Sequence, residues 1–380
     1  MAEMSHRERI LRAINHQEPD RVPVDIGGTF ATTLTIPAFA QLAAYKGWAA
    51  PSAGAMLRRS RSVLPPEEAL RDLDVDCRAL NLGAPDNWRD VDYPDGSFVD
   101  EWGVRWSHAE GGHYIDTASP LRYEAADIAD LAKVKWPDPH DPGRTRGLRA
   151  KALQLREETR CAVILNLPFF PEHYGQWERG YGQWLTDIMV NQEYWYALTD
   201  RILEIQLAIV GAALDEVGDA VDIVAWGDDL GYQGGPMMSL ELYRRTLKPA
   251  HRRMMDLMKS RSKAKVLFHS CGSVYAFIPD LIDIGVDILN PIQVAAKDMD
   301  SARLKREFGR DLCFWGGIDT QRVMPAGTPQ EVREEVKRRI EHMAAGGGYV
   351  VATVHNIQAE VPPENVLAMI EAAHEFGRYR

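Results

Sequence analysis

The chain is short of cysteine, of basic charge and of long apolar runs, and each shortage removes a class of protein. Its four cysteines among 380 residues (Cys77, Cys161, Cys271 and Cys313) are too scattered for a disulfide framework and read as reduced cytoplasmic thiols. No stretch reaches the ~18–20 consecutive apolar residues of a membrane span, and the opening MAEMSHRERI lacks a signal peptide's apolar core. Acidic residues outnumber basic ones, 55 to 44, so the basic stripe of a general nucleic-acid binder is missing. The phosphate-cradling GxGxxG pattern is absent after the first apolar run, which weakens a dinucleotide-binding reading. There is no internal repeat and no low-complexity tract. What remains is a soluble globular protein, 45% hydrophobic and 26% charged, long enough for two domains or one large α/β domain.

The order of elements favours one domain. Ser5 and Glu8 make a capping box ahead of Ile10, Leu11 and Ile14, an apolar stripe at helical spacing that must end before Pro19 or Pro23. Arg21–Ile26 then reads as a first strand. Further apolar runs follow at Cys77–Leu80, Ala162–Asn166, Val221–Trp226, Val266–His269, Asp287–Asn290, Leu312–Gly316 and Tyr349–Thr353. Amphipathic stretches separate several of them, among them Tyr194–Val217, Leu240–Lys259 and Gln330–Ala345. Near-continuous apolar strands alternating with such helices signal a parallel sheet covered on both faces. Eight of them favour a closed (β/α)8 TIM barrel over an open doubly wound sheet. One stretch breaks the rhythm: Gly96–Trp106 and His113–Asp116 alternate at a period near two around Glu110-Gly111-Gly112, which predicts a β-hairpin. Residues 84–145 are therefore expected to be an insertion in a single domain spanning 1–380.

In such a barrel the chemistry sits at the C-terminal ends of the strands. Those ends carry Asp228-Asp229, His269-Ser270-Cys271, Asn290 with Gln293, Trp315, and His355 with Gln358. His269 and Cys271 stand two apart where a strand frays, so both can turn to one side, and imidazole and thiolate are preferred zinc ligands. A third ligand must come from elsewhere, and His355 at the last strand end is the best candidate. Two histidines, a cysteine and an open position would make a catalytic zinc site. Spacing alone leaves open a buried thiol beside a hydrogen-bonded core imidazole. Asp228 and Asp229 offer a general acid or base or a grip on a cationic group, with a turn cap and a solvated carboxylate as the plain alternative. The aromatic run Phe169-Phe170-Pro171-Glu172-His173-Tyr174 offers His173 and Tyr174 as a substrate wall, or simply packing. Asp138-x-His140-x-x-Gly143 matches a cobalt-ligating motif in form only, because it lies between prolines with no preceding strand.

At these residues the sequence resembles the uroporphyrinogen decarboxylase superfamily, a (β/α)8-barrel group, along nearly its whole length. The resemblance is firmest in HSCG (269–272), IPDLIDIGVDILNP (278–291), FWGGIDTQ (314–321) and GGGYVVATVHNIQAEVPPENVLAM (346–369). True porphyrin decarboxylases carry an Arg-Gln-Ala-Gly-Arg loop that grips the substrate's carboxylates. Here that stretch is Asp25-Ile-Gly-Gly-Thr-Phe, without an arginine pair. The zinc methyltransferase branch looks closer. Its HxC pair falls on His269 and Cys271, and His355 occupies the position of its distant third ligand, usually cysteine. The resemblance thus implies zinc and a corrinoid on a separate carrier protein, and the decarboxylases suggest a homodimer. One thiolate and two neutral imidazoles leave bound zinc more positive than two thiolates would. That suits demethylation of a small oxygen- or nitrogen-methylated substrate. Asp228 or Asp229 would then move a proton or orient the substrate, and Asn290, Gln293 and Gln358 would hydrogen-bond it. The competing expectations are a lyase acting on a small carboxylate without corrinoid, and a non-catalytic small-molecule binder.

Overall fold

The computed structural model describes residues 3–48, 55–108, 113–167 and 171–379. Its centre is a curled parallel sheet of seven strands: Cys77–Asn81, Ala162–Asn166, Ile223–Gly227, Lys265–His269, Ile288–Asn290, Cys313–Trp315 and Tyr349–Val350. Each pairs in parallel with the next in chain order, which needs a crossover connection between every pair.

The run expected to be the first strand makes no ladder of its own, because Pro23 has no N–H to give. It still bonds to both edges of the sheet. Asp25 N donates to Val351 O and Asp76 N to Val24 O, both at 2.9 Å. The sheet is therefore TIM-barrel-like, with residues 23–25 lying between its first and last strands.

Alternation along the strands sorts the side chains. Cys77 and Ala79, Ala162 and Ile164, Ile223 and Ala225, and Cys313 and Trp315 share one interior cluster. Val163 and Leu165, and Val224 and Trp226, belong instead to the larger cluster between sheet and helices. The helix His6–Ile14, started by the Ser5–Glu8 capping box, adds Ile10, Ala13 and Ile14 to the interior cluster. It covers the N-terminal end of the sheet, where Arg7 N donates to Arg160 O and Gly348 N to Ala13 O. Asp76 ties these parts together. Fully buried, it accepts from Val24 N at 2.7 Å and pairs with Arg9, Arg21 and His6. Burial pushes its carboxyl up, but His6 and the two arginines outweigh that and hold it well below the usual range.

One expectation is corrected and another extended. The helix read across 240–259 breaks at Thr246 into Leu240–Arg245 and Leu247–Arg261. Pro249 has no N–H to give Arg245 O, so the first helix ends there, and the Thr246 hydroxyl donates to Leu242 O at 2.6 Å. The two arms of the expected hairpin, Arg105–Ser107 and Ile115–Ala118, pair antiparallel within a four-stranded sheet that also holds Val91–Asp92 and Phe98–Val99. The turn at 110–112, like Phe169 and Phe170, lies outside the described residues. A further three-stranded sheet, Leu34–Thr35, Ser62–Val63 and Ala55–Leu57, carries the loop 58–61 toward the same end of the barrel. Among the described residues, no helix is long and apolar enough to cross a membrane.

Candidate metal centre and cavity

His269 is the last residue of its strand and shares the interior parity of Leu267. Its backbone needs room beside it. A Cβ at Gly227 would stand 2.1 Å from the His269 carbonyl oxygen, so only glycine fits there. Nδ1 of His269 lies 2.6 Å from Oδ1 of Asn290, while the Asn290 amide nitrogen donates to Trp315 O at 3.1 Å. The acceptor opposite Nδ1 assigns the proton to that nitrogen and leaves a lone pair on Nε2. Nε2 faces the Cys271 Sγ at 3.5 Å. Beyond the last strand, the His355 ring meets the His269 ring edge-on, with centroids 5.7 Å apart. Ligand atoms of His269, Cys271 and His355 all lie within 4.8 Å of one another, so the three residues singled out from the sequence converge. Burial lowers the His269 pKa, and burial with the neighbouring His269 brings His355 down to about 4, so both imidazoles are neutral at pH 7. Burial holds the Cys271 thiol well above its ordinary range, and a cation bound beside it would reverse that.

Behind this group sits a charged knot that the sequence only half disclosed. Asp228 follows the outward parity of Trp226, so it points toward the helices and is fully buried. Its Oδ1 accepts from His173 Nδ1 at 2.8 Å, and its Oδ2 pairs with His251 Nε2 at 3.0 Å. It also accepts from the backbone N–H of His173 and of Glu172, at the start of the helix Pro171–Arg179. Burial raises the Asp228 carboxyl, but the two histidines outweigh it and leave it below its ordinary range. Asp229 is a third exposed, accepts from Cys271 N at 2.7 Å and lies 3.6 Å from His173 Nε2. Asp229 is the member of the pair placed at the metal group, and Asp228 is a positioning residue. Glu172 is buried beside Asp228, and burial together with that charge raises its pKa well above the ordinary carboxylate range. His251 escaped the sequence reading. Its one signal is a polar residue on the apolar stripe of Leu247, Met254 and Met258.

Burial pulls His173 down, yet Asp228 and Asp229 win and lift it to about 10, against about 6.5 in an unfolded chain. The folded state thus holds an extra proton between these values. Its contribution is complete below about pH 6.5 and is lost as pH rises toward 10. The expected outcome is that Tm of His173→Gln falls less than wild type between pH 7 and 10. Parallel curves would contradict this.

The other expected substrate residues scatter. Trp315 is fully buried with interior parity and donates to Asp25 Oδ2 at 3.0 Å, so it packs inside the curled sheet and lines neither lobe of the cleft formed by His355 and Arg59. Asn290 is spent on His269, and Gln293 on Gly272 N and Gln233. Gln358 and His173 do line a cleft of ≈ 300 Å³, together with His355, Phe30, Arg59 and Trp177. Tyr174 lines an adjoining lobe of ≈ 180 Å³ that shares Phe30 and Arg59. His140 is exposed on the surface, consistent with an accidental motif match. Phe30 was missed because only the fold brings it here. Asn166 Oδ1 accepts its N–H, Asn356 Nδ2 donates to its carbonyl, and its ring stands edge-on to His269 at 5.6 Å.

Comparison with known proteins settles the family. The model of the family described as "Uroporphyrinogen decarboxylase (URO-D)" matches residues 119–376. The chain belongs to the URO-D family. Its relatives include the uroporphyrinogen decarboxylase of Alkalilimnicola ehrlichii, 26% identical over 377 residues, 97% of this chain and 94% of that one. They also include the methylated-thiol–coenzyme M methyltransferase of Methanosarcina mazei, 29% identical over 142 residues, 37% of this chain and 34% of that one. A solved methyltransferase from Methanosarcina mazei superposes with a TM-score of 0.66 at 18% identity, over 98% of this chain and 99% of that one, a likeness of fold. URO-D family members thus include enzymes of both types, decarboxylases and a methyltransferase.

Proposed function

We propose that this URO-D family chain is a zinc-dependent methyltransferase or demethylase that exchanges a methyl group between a small O- or N-methylated substrate and a corrinoid on a separate protein. The observation that carries the reading is the convergence of His269, Cys271 and His355 beside the cleft. The donor set fits zinc. Tetrahedral bonds of about 2.3 Å to sulfur and 2.0–2.1 Å to nitrogen put the two donors roughly 3.6 Å apart, against 3.5 Å between Cys271 Sγ and His269 Nε2. When bound, zinc would polarise the oxygen or nitrogen that keeps the electron pair as its bond to methyl breaks.

The chain's own residues supply the rest. Asn290 fixes which nitrogen of His269 carries the proton. Asp229 holds Cys271 through its N–H and keeps a partly exposed carboxylate for orienting the substrate or accepting a proton. His173 remains cationic and holds Asp229 in place. Phe30 and Trp177 keep bulk water from the ligands. On this reading the sheet is a closed (β/α)8 barrel in one cytoplasmic domain, 1–380, with 84–145 as an insertion, and the protein is a homodimer.

The test is incubation of purified protein with cob(I)alamin and a panel of methoxylated and N-methylated compounds. Conversion to methylcobalamin in the visible spectrum, by protein holding stoichiometric zinc, is expected. Absence of both zinc and conversion overturns the proposal. The similarity to a decarboxylase along nearly the whole chain favours a second reading, a lyase acting on a small carboxylate, and release of carbon dioxide without corrinoid would identify it.

A further inference from the structure

The cleft beside the three candidate ligands contains a cation, Arg59, for which no carboxylate ion pair is found among the described residues. Arg59 lines both of its lobes. Its guanidinium lies 3.9 Å from the centre of the Trp177 ring, 5.1 Å from Trp106 and 5.8 Å from Tyr174. Among the described residues no carboxylate forms an ion pair with it, whereas the preceding Arg58 pairs with both Asp90 and Asp92. The carboxylate that feels its charge is Asp100, whose oxygens already accept from Trp102 N, Val104 N and Trp106 Nε1. Its other polar neighbour is the Tyr174 hydroxyl.

An arginine stacked face-on against aromatic rings keeps its N–H donors in the plane, where they match the two oxygens of a carboxylate. The same stacking occupies the ring faces that would otherwise receive a cationic ligand. A volume of ≈ 300 Å³ is at the small end for ligand sites and suits a body about the size of one ring. Since His355 lines the same cleft, one such ligand can touch both Arg59 and the metal group.

We propose that Arg59 is a specificity-determining residue that binds the carboxylate of an anionic, ring-sized substrate. This rests on the proposed methyl-transfer site, and names the class of substrate that site takes. It also places anion recognition on the loop 58–61 and not on the stretch 25–30, where the sequence has no arginine.

The test is isothermal titration calorimetry of metal-free protein with 4-methoxybenzoate and with its neutral isostere 4-methoxybenzamide. Wild type is expected to bind the carboxylate about tenfold to a hundredfold more tightly, the range for hydrogen bonds to a charged group. Arg59→Met should abolish that preference while keeping amide affinity, and Arg59→Lys should retain part of it. Thermal unfolding followed by circular dichroism verifies that the variants are folded. Equal affinity of wild type for the two probes, or an unchanged preference in Arg59→Met, overturns the proposal. Because neither zinc nor turnover enters the measurement, carboxylate binding without methyl transfer fails only the reaction reading. Methyl transfer without carboxylate preference fails only the role of Arg59.

Discussion

Wild-type protein is expected to purify with about one zinc per chain, and His269→Ala or Cys271→Ala with less than about a tenth of that and no methyl transfer. The ligands sit on two elements distant in sequence, so a lost side chain leaves only two donors, too few for a catalytic zinc site. The effect should be graded. Asn290→Ala keeps every ligand but frees the His269 ring to turn, and is expected to weaken zinc binding about 10–100-fold. Cys313→Ala removes a buried thiol distant from the ligands and should leave zinc content unchanged. His355→Cys should retain zinc where His355→Ala does not. Elemental analysis of matched preparations decides each case. Full zinc and activity in His355→Ala would remove that residue from the ligand set.

Asp228→Ala is expected to cost about 3–5 kcal/mol in urea denaturation, the range for breaking a buried ion pair by removing one partner. Burial is what makes it expensive. His173 and His251 would both lose their carboxylate, and two N–H groups at the start of the helix Pro171–Arg179 would lose their acceptor. Asp283→Ala is the comparison. That carboxylate pairs with Lys248 and Arg252 but is 56% exposed, and its loss should leave the unfolding midpoint nearly unchanged. Asp229→Asn should separate the neighbours by function, keeping most of the stability and losing most of the activity. Equal midpoints for Asp228→Ala and Asp283→Ala would show that the buried knot stabilises nothing.

The repeat of apolar strands and helices was legible because parallel strands covered on both faces leave an unmistakable pattern. His269 and Cys271 were legible because two ligand types stood at one strand end. Which way the strand-end residues point was also written in the sequence, in the alternation of each strand. Asn290 and Trp315 keep the interior parity of Ile288 and Cys313, and Asp228 keeps the outward parity of Trp226. Assigning roles from the strand end alone overlooks this, and so grouped Trp315 with the substrate residues and left the choice between Asp228 and Asp229 open. His251, Phe30 and Arg59 were illegible for a different reason. Each reaches the site through a helix or loop whose place is set by packing across the molecule, and no local spacing marks it. The break at Thr246 was legible in Pro249, which has no N–H for Arg245 O, but the unbroken apolar periodicity masked it.

The way residues 23–25 sit against Val351 bears on how the protein is made. The seven strands pair with their sequential neighbours, contacts a growing chain can form as each αβ unit emerges. The seam between the first and last of them waits until the last strand has been made. Thr33 N reaches Asn356 Oδ1 across 323 positions, and Asn356 also fixes Phe30 beside the metal group. Contacts that distant close slowly, since a long loop must be ordered before it is rewarded. His355 lies in that same last segment. The nascent chain therefore exposes His269 and Cys271 as an incomplete pair, and the three candidate ligands come together only when the last strand and its following loop join the sheet.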